Sequence, residues 1–337
     1  MRIGLLGAGR IGSRHALVLA AHPAVTSMLV ADQEAGRAEA LAESLPSAAS
    51  IDGVEDVIAQ VDALLIATPT PSHAALLAKA AAAGLPVFCE KPLADSLPRS
   101  KEIVARLAES GVPVQVGFQR RFDVGYLAAR TALRAGEIGE LRRAHVITCD
   151  PAPAPREFIA TSGGIFRDCN IHDFDALRWL TGLEVEQVFA TGANRGHAWF
   201  REHGDVDEAA AVLTLAGGTL ATVQGSRYNG AGYDVRMELA GTVATLVVGL
   251  DEHTPMHSAE PGVAAPAGPT WRSFWDRFQP AYEAEINAFV DLARGEIASP
   301  CTAQDGLEAL YIAEAAEVSR REGRPVAVAE MRQDGIA

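Results

Sequence analysis

A carboxylate and an imidazole stand four residues apart near the middle of the chain, at Asp168 and His172. They follow Gly163–Gly164, and a helical pattern then continues to Gly182. On one α-helix this spacing places both side chains on the same face, one turn apart. Because a carboxylate beside a histidine sets the tautomer and basicity of a proton-transfer group, the pair predicts general-base chemistry. The alternative is the solvated polar face of an ordinary amphipathic helix.

The remaining residues of this predicted helix favour burial of its opposite side. Apolar residues recur there at three-residue steps, at Ile171, Phe174, Leu177 and Leu180. The helix can therefore bury one stripe and present the carboxylate and the imidazole from another.

The amino terminus carries the glycine pattern of a dinucleotide-binding loop. Residues 2–6 form an apolar strand pattern, Gly7, Gly9 and Gly12 follow directly, and a helical pattern continues to about Ala21. The first glycine permits a tight turn, the second lets backbone approach a pyrophosphate, and the third lets helix and strand pack closely. The helix amides then face the phosphates. The predicted cofactor contacts here are Gly7, Gly9, Arg10, Ile11 and Gly12.

We expect the dinucleotide to be NAD. A second predicted strand, at about Thr26–Ala31, ends at Asp32, roughly twenty residues after Gly12. An acidic side chain there accepts hydrogen bonds from a ribose diol and repels the 2′-phosphate of NADP. The next residue is Gln33, which is not basic. Asp32 could also cap the helix predicted over Glu34–Leu45, and both roles are compatible.

The alternation of strands and helices continues to Gly117 and predicts a parallel, doubly wound sheet. Ligands of such sheets lie beyond the carboxyl ends of the strands. The further residues predicted to reach the cofactor from those ends are Thr68, Pro69, His73, Glu90 and Lys91. Lys91 is also placed to donate to a substrate oxygen and polarise it. The alternative for Lys91 is a surface lysine at a strand end.

The second half of the chain has a different pattern, rich in strands from Glu186 onwards. Gly217–Gly218 and Gly241–Thr242 each separate two apolar strand patterns, as hairpin turns do. We predict an α/β domain with an open, mainly antiparallel sheet, one face of which is free to pack on another subunit. The predicted domains are residues 1–118 and 119–337, with the last helix able to return to the first domain.

Composition narrows the possible partners. The chain has 337 residues and a net charge of −14, which disfavours nucleic acids and anionic membranes because both are polyanions. No apolar run has the length of a membrane span, and the first apolar run, cut by Arg10 and Arg14, is unlike a signal peptide. The four cysteines form no Cys-x-x-Cys pair, so we predict no metal site and no disulfide framework. Reduced thiols are typical of a cytoplasmic location.

Three motifs together resemble those of the glucose–fructose oxidoreductase and inositol dehydrogenase family (Gfo/Idh/MocA). They are the Gly7–Gly12 loop, the Glu-Lys-Pro of Cys89–Pro92, and Gly163–Gly164 followed by Asp168, His172 and Asp173. The resemblance covers nearly the whole chain. Within the family, three stretches look closest to inositol 2-dehydrogenases, namely Gly117–Asp123, Asp150–Pro155 and Gly232–Arg236.

The resemblance implies a Rossmann domain, an α/β domain, and a tetramer or dimer built through the open sheet. It implies that Lys91, Asp168 and His172 are the catalytic group. The residues expected to meet the substrate are Lys91, Arg121, Asp150, Asp168, His172 and Tyr233. The chain departs from the family pattern at Gln119, Val124 and Asn170. Because Asn170 lies inside the catalytic motif, we expect it to bear on substrate identity.

The implied reaction is the NAD-dependent oxidation of a secondary hydroxyl of a cyclic polyol to the ketone. The expected substrate is myo-inositol or a related inositol or sugar. His172 takes the hydroxyl proton, Asp168 orients His172 or the substrate hydroxyl, and Lys91 donates to the same oxygen. The alternatives are a dehydrogenase of a sugar or an amino-sugar precursor, or a glycosidase that retains NAD and cycles it.

Overall fold

The strand β1 (Arg2–Leu6) lies inside a parallel sheet, and four of its five residues are buried. A computed structural model describes residues 1–333. The other strands of this sheet are β2 (Ser27–Ala31), β3 (Ala48–Ser50), β4 (Ala63–Ile66), β5 (Val87–Glu90) and β6 (Val114–Gly117). Their order is β3-β2-β1-β4-β5-β6 and every pair is parallel. This is the doubly wound order of a Rossmann fold, so the predicted fold class is confirmed.

Helices connect these strands. They are α1 (Arg10–Ala21), α2 (Ala35–Glu43), α3 (Val54–Ile58), α4 (His73–Ala83) and α5 (Leu97–Ser110). Gly84 and Gly111 end α4 and α5 in the left-handed conformation, which glycine adopts without steric cost. The sequence did not predict β3 or α3, because elements of three to five residues show too little periodicity.

A second, mixed sheet follows. Its strands are β7 (Leu141–Cys149), β8 (Val185–Ala193), β9 (Glu208–Leu215), β10 (Leu220–Ser226), β11 (Asp234–Gly241), β12 (Thr245–Val248) and β13 (Val326–Ala327). The order is β12-β11-β7-β10-β9-β8-β13. All neighbouring pairs are antiparallel except β7 and β10, which are parallel. A mainly antiparallel sheet was predicted; the parallel pair and β13 were not.

The remaining helices are α6 (Val124–Arg134), α7 (Arg156–Ile159), α8 (Ile171–Thr181), α9 (Trp199–Glu202), α10 (Phe274–Ala293), α11 (Ala303–Glu322) and α12 (Val328–Arg332). A π-helical turn, Phe166–Asn170, leads into α8. The sequence did not predict the short helices α7, α9 and α12. No helix within residues 1–333 is long and apolar enough to cross a membrane.

One face of the second sheet is buried and the other is open. Ala211 and Leu213 on β9 and Val223 on β10 are buried, whereas Val212 and Leu220 on the same strands are exposed. This alternation follows the period of two along a strand. Helix α11 reaches the buried side, where the hydroxyl of Ser319 accepts a hydrogen bond from the Ala190 amide at 2.8 Å.

The chain divides into two compact units, one of Met1–Phe122 with Pro280–Glu308, the other of Asp123–Gln279 with Ala309–Ala337. Residues 334–337 lie outside the described residues. The sequence placed the division after residue 118. It also offered the last helix as the returning segment, whereas the returning segment joins α10 and α11.

The returning segment completes the core of the first unit. Phe289 and Val290 of α10 lie in one apolar cluster with Leu5 of β1. Backbone contacts add to this packing, since the Val116 amide donates to the Cys301 carbonyl at 2.9 Å. The side-chain amide of Gln115 donates to the Glu285 carbonyl at 2.8 Å.

Arg121 fixes the same segment by charge. Its guanidinium is nearly buried, donates to the Pro300 carbonyl at 2.9 Å, and lies 3.2 Å from the Asp305 carboxylate. Burial alone would raise the pKa of Asp305. The charge of Arg121 and hydrogen bonds from Thr302 outweigh burial and hold that pKa below its ordinary value.

Replacing Asp305→Asn should therefore lower the free energy of unfolding by roughly 1–3 kcal/mol at neutral pH, because it removes the charge of a carboxylate that pairs with the nearly buried Arg121 guanidinium. A folded-state pKa below the ordinary 3.8 gives stability that is present above that value and is lost as pH falls through the folded pKa. Chemical denaturation at neutral and acidic pH should thus show a difference that shrinks in acid. Glu34→Gln, which breaks an exposed pair with Arg37, is the control. An equal loss in both variants would contradict the prediction.

Candidate active site

The three glycines of the loop in the first unit have two different roles: two of them allow close packing, and one leaves space for a ligand. Gly7 has φ +101°, and a Cβ atom there would lie 2.6 Å from the Ala67 backbone. A Cβ atom on Gly12 would overlap the Gly7 carbonyl oxygen. A Cβ atom on Gly9 would meet nothing within 4 Å. Gly7 and Gly12 therefore allow close backbone packing, and Gly9 borders open space at the start of α1, where a phosphate can approach.

The Asp32 carboxylate accepts a hydrogen bond from the glycine loop. Its Oδ2 accepts a hydrogen bond from the Ala8 amide at 2.7 Å, and its Oδ1 accepts one from the Glu34 amide at 2.9 Å. The N-cap of α2 is Glu34, so the capping role suggested for Asp32 is wrong. Each carboxylate oxygen retains a lone pair for a ribose hydroxyl.

Thr68 and His73 order the next strand-end loop. The Thr68 hydroxyl lies 2.6 Å from the Ser72 hydroxyl. The two ring nitrogens of His73 lie 2.8 Å from the carbonyl oxygens of Thr68 and Pro92. Because His73 is buried and its nitrogens face these carbonyls, the contacts indicate that it ties two loops together. Direct cofactor contacts by His73, Thr68 and Pro69 stay predictions.

Glu90 is the last residue of β5, and Lys91 follows it directly. Glu90 lies 2.7 Å from Nε2 of His15, a fully buried side chain of α1. A Cβ atom on Gly117 would lie 2.9 Å from Glu90 Oε2, so the absence of a side chain there leaves room for the carboxylate. Lys91 is partly buried, and its peptide bond to Pro92 is cis. The cofactor contacts of Glu90 and Lys91 stay predictions. Together, the open Gly9, the amides of α1 and the Asp32 carboxylate fit an NAD cofactor.

In the second unit, strand register gathers polar residues at one sheet edge. Cys149 pairs with Ser226 in the parallel pair β7–β10, so Asp150 and Arg227 leave the sheet side by side. The Asp150 amide donates to the Ser226 carbonyl at 2.9 Å. The antiparallel neighbour β11 starts at this edge, directly after Tyr233.

The turn that carries Asp168 differs from the sequence prediction. Asp168 lies in the π-helical turn, and His172 is the second residue of α8, so one regular α-helix from Gly164 onwards is wrong. Such turns are frequent at functional sites. His172 is partly exposed, whereas the apolar positions predicted on the other side, Ile171, Phe174, Leu177 and Leu180, are buried as expected.

Sequence reasoning missed Arg227, whose side chain is only 2% exposed. Its guanidinium donates to Asp168 Oδ2 at 2.8 Å and to Asp150 Oδ2 at 3.0 Å. Burial opposes the charge of Arg227, but Cys169, Asp168 and Asp150 outweigh it and hold the pKa of Arg227 above its ordinary value. Burial raises the pKa of Asp150, and Arg227 offsets only part of this. The sequence offered one signal for a role of Arg227, namely an arginine directly after a strand pattern.

Asn170 is buried and does not border open space. Its side-chain amide donates to Asp173 Oδ2 at 2.8 Å, and Asp173 Oδ1 accepts from the Thr148 hydroxyl at 2.7 Å. A Cβ atom on Gly225 of β10 would lie 2.6 Å from Asn170 Oδ1. The expectation that Asn170 bears on substrate identity finds no support in these contacts, which anchor the π-helical turn to the sheet.

Two further residues of the predicted substrate set are mostly buried. Tyr233 packs the edge of its ring on Phe278, with 6.5 Å between centroids, and its amide donates to the Trp271 carbonyl at 2.7 Å. Arg121 is engaged by Pro300 and Asp305, as described above. The substrate contacts of both residues stay predictions. Among residues 1–333, no group of three or more His, Cys, Asp or Glu is placed to hold a metal.

Two family models match the chain. The model described as an oxidoreductase family with an NAD-binding Rossmann fold matches residues 1–118, and the GFO/IDH/MocA C-terminal domain matches residues 126–247. The chain belongs to the GFO/IDH/MocA oxidoreductase family. The resemblance drawn from the three motifs is thereby confirmed, and the first unit is the NAD-binding domain of an oxidoreductase.

Known relatives are similar over nearly their whole length. The myo-inositol dehydrogenase Hyg17 of Streptomyces leeuwenhoekii is 38% identical over 97% of this chain and 100% of that protein. The crystal structure of a myo-inositol dehydrogenase from Corynebacterium glutamicum has a TM-score of 0.88 at 34% identity, covering 97% of this chain and 98% of that one. A scyllo-inositol dehydrogenase from Lactobacillus casei with bound NAD(H) and scyllo-inositol has a TM-score of 0.88 at 29% identity, with 98% and 99% covered.

The packing of Gly225 against Asn170 predicts a specific loss of turnover. Gly225→Ala should lower kcat by about 10-fold or more, because it displaces the turn that carries Asp168, and small misplacements are costly. NAD affinity should not change, because the NAD-binding loop belongs to the other unit. Adding Asn170→Gly should restore part of the loss through a coupling of roughly 0.5–3 kcal/mol.

Steady-state kinetics and NADH titration of both single variants and the double variant measure this coupling. Gly230→Ala is the control, since a Cβ atom there would meet nothing within 4 Å. Strictly additive effects, or equal losses at positions 225 and 230, would contradict the packing argument.

Proposed function

We propose that this enzyme oxidises a secondary hydroxyl of a cyclic polyol, with myo-inositol or another inositol as the first candidate, and passes the hydride to NAD. The observation that carries the proposal is the anchored Asp168 turn followed by His172 at one sheet edge, in a chain whose other unit has an NAD-binding loop. The full-length likeness to inositol dehydrogenases supports the same substrate class.

The charge at the sheet edge favours a neutral substrate. Five acidic side chains and three arginines stand on the strand ends and the π-helical turn, namely Asp150, Asp168, Asp207, Glu208 and Asp234 with Arg167, Arg227 and Arg236. Excess negative charge repels a phosphorylated or carboxylated sugar. Carboxylates are good acceptors for the several hydroxyls of an uncharged polyol.

The proposed roles follow from chemical type. His172 accepts the hydroxyl proton as general base, and the charge of Asp168 orients it and favours the imidazolium form. Lys91 donates a hydrogen bond to the same oxygen and stabilises its developing negative charge. NAD, when bound, supplies the hydride acceptor. Asp150, Tyr233 and Arg121 are proposed to bind the remaining hydroxyls.

The proposed assembly uses the open sheet face. Large apolar side chains are exposed on the second sheet, at Phe189, Val212, Leu220 and Val247. An apolar face of this kind favours burial against a second copy of the chain. We propose a homotetramer or homodimer built in this way and located in the cytoplasm, with no nucleic acid or membrane as partner.

The first test is a substrate panel. Inositol isomers, aldoses, their phosphates and chromogenic glycosides are incubated with NAD or NADP, and absorbance of the reduced cofactor and of the released aglycone is followed. We expect stoichiometric release of NADH with an inositol and NAD, and little activity on phosphorylated sugars. Cleavage of a glycoside without net NADH would replace the proposal with the redox-cycling glycosidase.

The second test concerns the base. His172→Ala should lower kcat by roughly 10²–10⁴-fold, the usual contribution of a general base, while the Kd for NADH stays the same. His257→Ala, an exposed histidine elsewhere in the second unit, is the matched control. Near-normal turnover of His172→Ala would remove His172 from the mechanism.

A further inference from the structure

Arg227 is a buried cation that none of the three family-like motifs contains. It follows β10 directly, and its backbone amide donates to the Asp207 carbonyl at 2.8 Å. Its side chain joins two elements, because Asp150 follows β7 and Asp168 belongs to the π-helical turn. A buried arginine shared by two carboxylates of a predicted substrate set calls for a functional explanation.

We propose that Arg227 is a positioning residue of the dehydrogenase, which keeps Asp150 and Asp168 ionised together and fixes the orientation of both carboxylates. The inference rests on the proposed function, since it assigns Asp168 to His172 and Asp150 to the substrate. Arg227 is then a further residue of the site, and it contacts the two carboxylates but neither the substrate hydroxyl nor the cofactor.

Charge balance supports this role. Two carboxylates that bind the same guanidinium are close neighbours, and like charges at such distances oppose double ionisation. Burial already raises the pKa of Asp150, and the nearby Asp168 raises it further. Arg227 is the cation that opposes both effects. Without it, one proton would be shared by the two carboxylates, and Asp168 would lose charge where His172 needs it.

Geometry supports the orienting role. Arg227 binds the Oδ2 atom of each carboxylate. For Asp150, the Cys169 thiol also lies 3.5 Å from Oδ2, and within residues 1–333 Oδ1 receives no hydrogen bond. Oδ1 of Asp150 is therefore the atom available to a substrate hydroxyl. Arg227 thus fixes which oxygen of Asp150 is presented.

Among the described residues, Arg227 has two further titratable neighbours, a cysteine and an aspartate. Cys169 of the π-helical turn lies 3.0 Å from the guanidinium through its sulfur. Asp205, in the loop before β9, feels the charge of Arg227, and its Oδ1 accepts from the Ile165 amide at 2.9 Å. Asp205 therefore anchors the start of the π-helical turn and does not replace Asp150 or Asp168.

The kinetic test compares Arg227→Met, Arg227→Lys and the control Arg178→Met. Arg178 is a largely buried arginine of α8 that pairs with Glu184 at 2.7 Å. Its replacement by methionine therefore removes a similar ion pair from the helix that also carries His172. In Arg227→Met, kcat at neutral pH should fall at least about 10-fold, because Asp150 and Asp168 are then no longer ionised together. Arg227→Lys should recover part of this loss, and the Kd for NADH should stay constant in all variants.

Chemical rescue separates positioning from folding. In Arg227→Ala, added guanidinium ion should restore activity in a saturable way, whereas the same salt should not restore Gly225→Ala. A kcat in Arg227→Met no lower than that of Arg178→Met, together with no rescue of Arg227→Ala, overturns the proposal.

A substrate-free measurement keeps this inference separate from the proposed function. NMR titration of ¹³Cγ-labelled aspartate, with Asp150→Asn and Asp168→Asn for assignment, reports the two carboxyl groups directly. In Arg227→Met, one of them should titrate about 1–3 pH units higher than in the wild type. If the wild type oxidises no polyol, the proposed function fails while this shift still tests Arg227. Unchanged titration of both groups overturns the proposal for Arg227.

Discussion

The parallel pairing of β7 with β10 is the constraint on which the candidate site of the second unit depends. It is the one parallel pair among the described strands of the second sheet, and its register sets Cys149 against Ser226. Both strands therefore end at the same edge, and Asp150 and Arg227 meet there. A shift by one residue would turn alternate side chains to the opposite face and separate this ion pair. Backbone hydrogen bonding thus decides where the charged groups of the site are found.

A glycine then allows the π-helical turn to approach that sheet. Gly225 presents no side chain to Asn170, which lets the π-helical turn lie directly on β10. The glycine loop of the first unit follows the same logic, since Gly12 leaves room for the Gly7 carbonyl and Gly9 leaves room for a ligand. In each unit, a glycine without a side chain allows another part of the chain to approach closely. The space is filled by Asn170 in the second unit and by the Gly7 carbonyl in the first.

Buried polar groups in both units are paired in a way that fixes loops and strand ends. In the first unit, His15 meets Glu90, and His73 spans the carbonyls of Thr68 and Pro92. In the second, Arg227 joins two carboxylates. Because an unpaired buried polar group is costly, such contacts restrict the conformations open to the residues beside them. Lys91 directly follows Glu90, which pairs with His15. Asp168 is itself one of the two carboxylates that bind Arg227.

The sequence by itself determined the Rossmann domain, the NAD cofactor and the family, because the glycine spacing, Asp32 and the strand and helix patterns are local properties of the chain. It also singled out Asp168 and His172 as candidate catalytic residues, a role that stays a prediction. Only the tertiary structure decided the partner of Asp168, since Arg227 lies 59 residues away along the chain. The burial of Asn170, the parallel pair β7–β10 and the return of Pro280–Glu308 to the first unit are likewise contacts between distant residues. No local pattern records them, because they arise from the register of strands and the packing of one element on another.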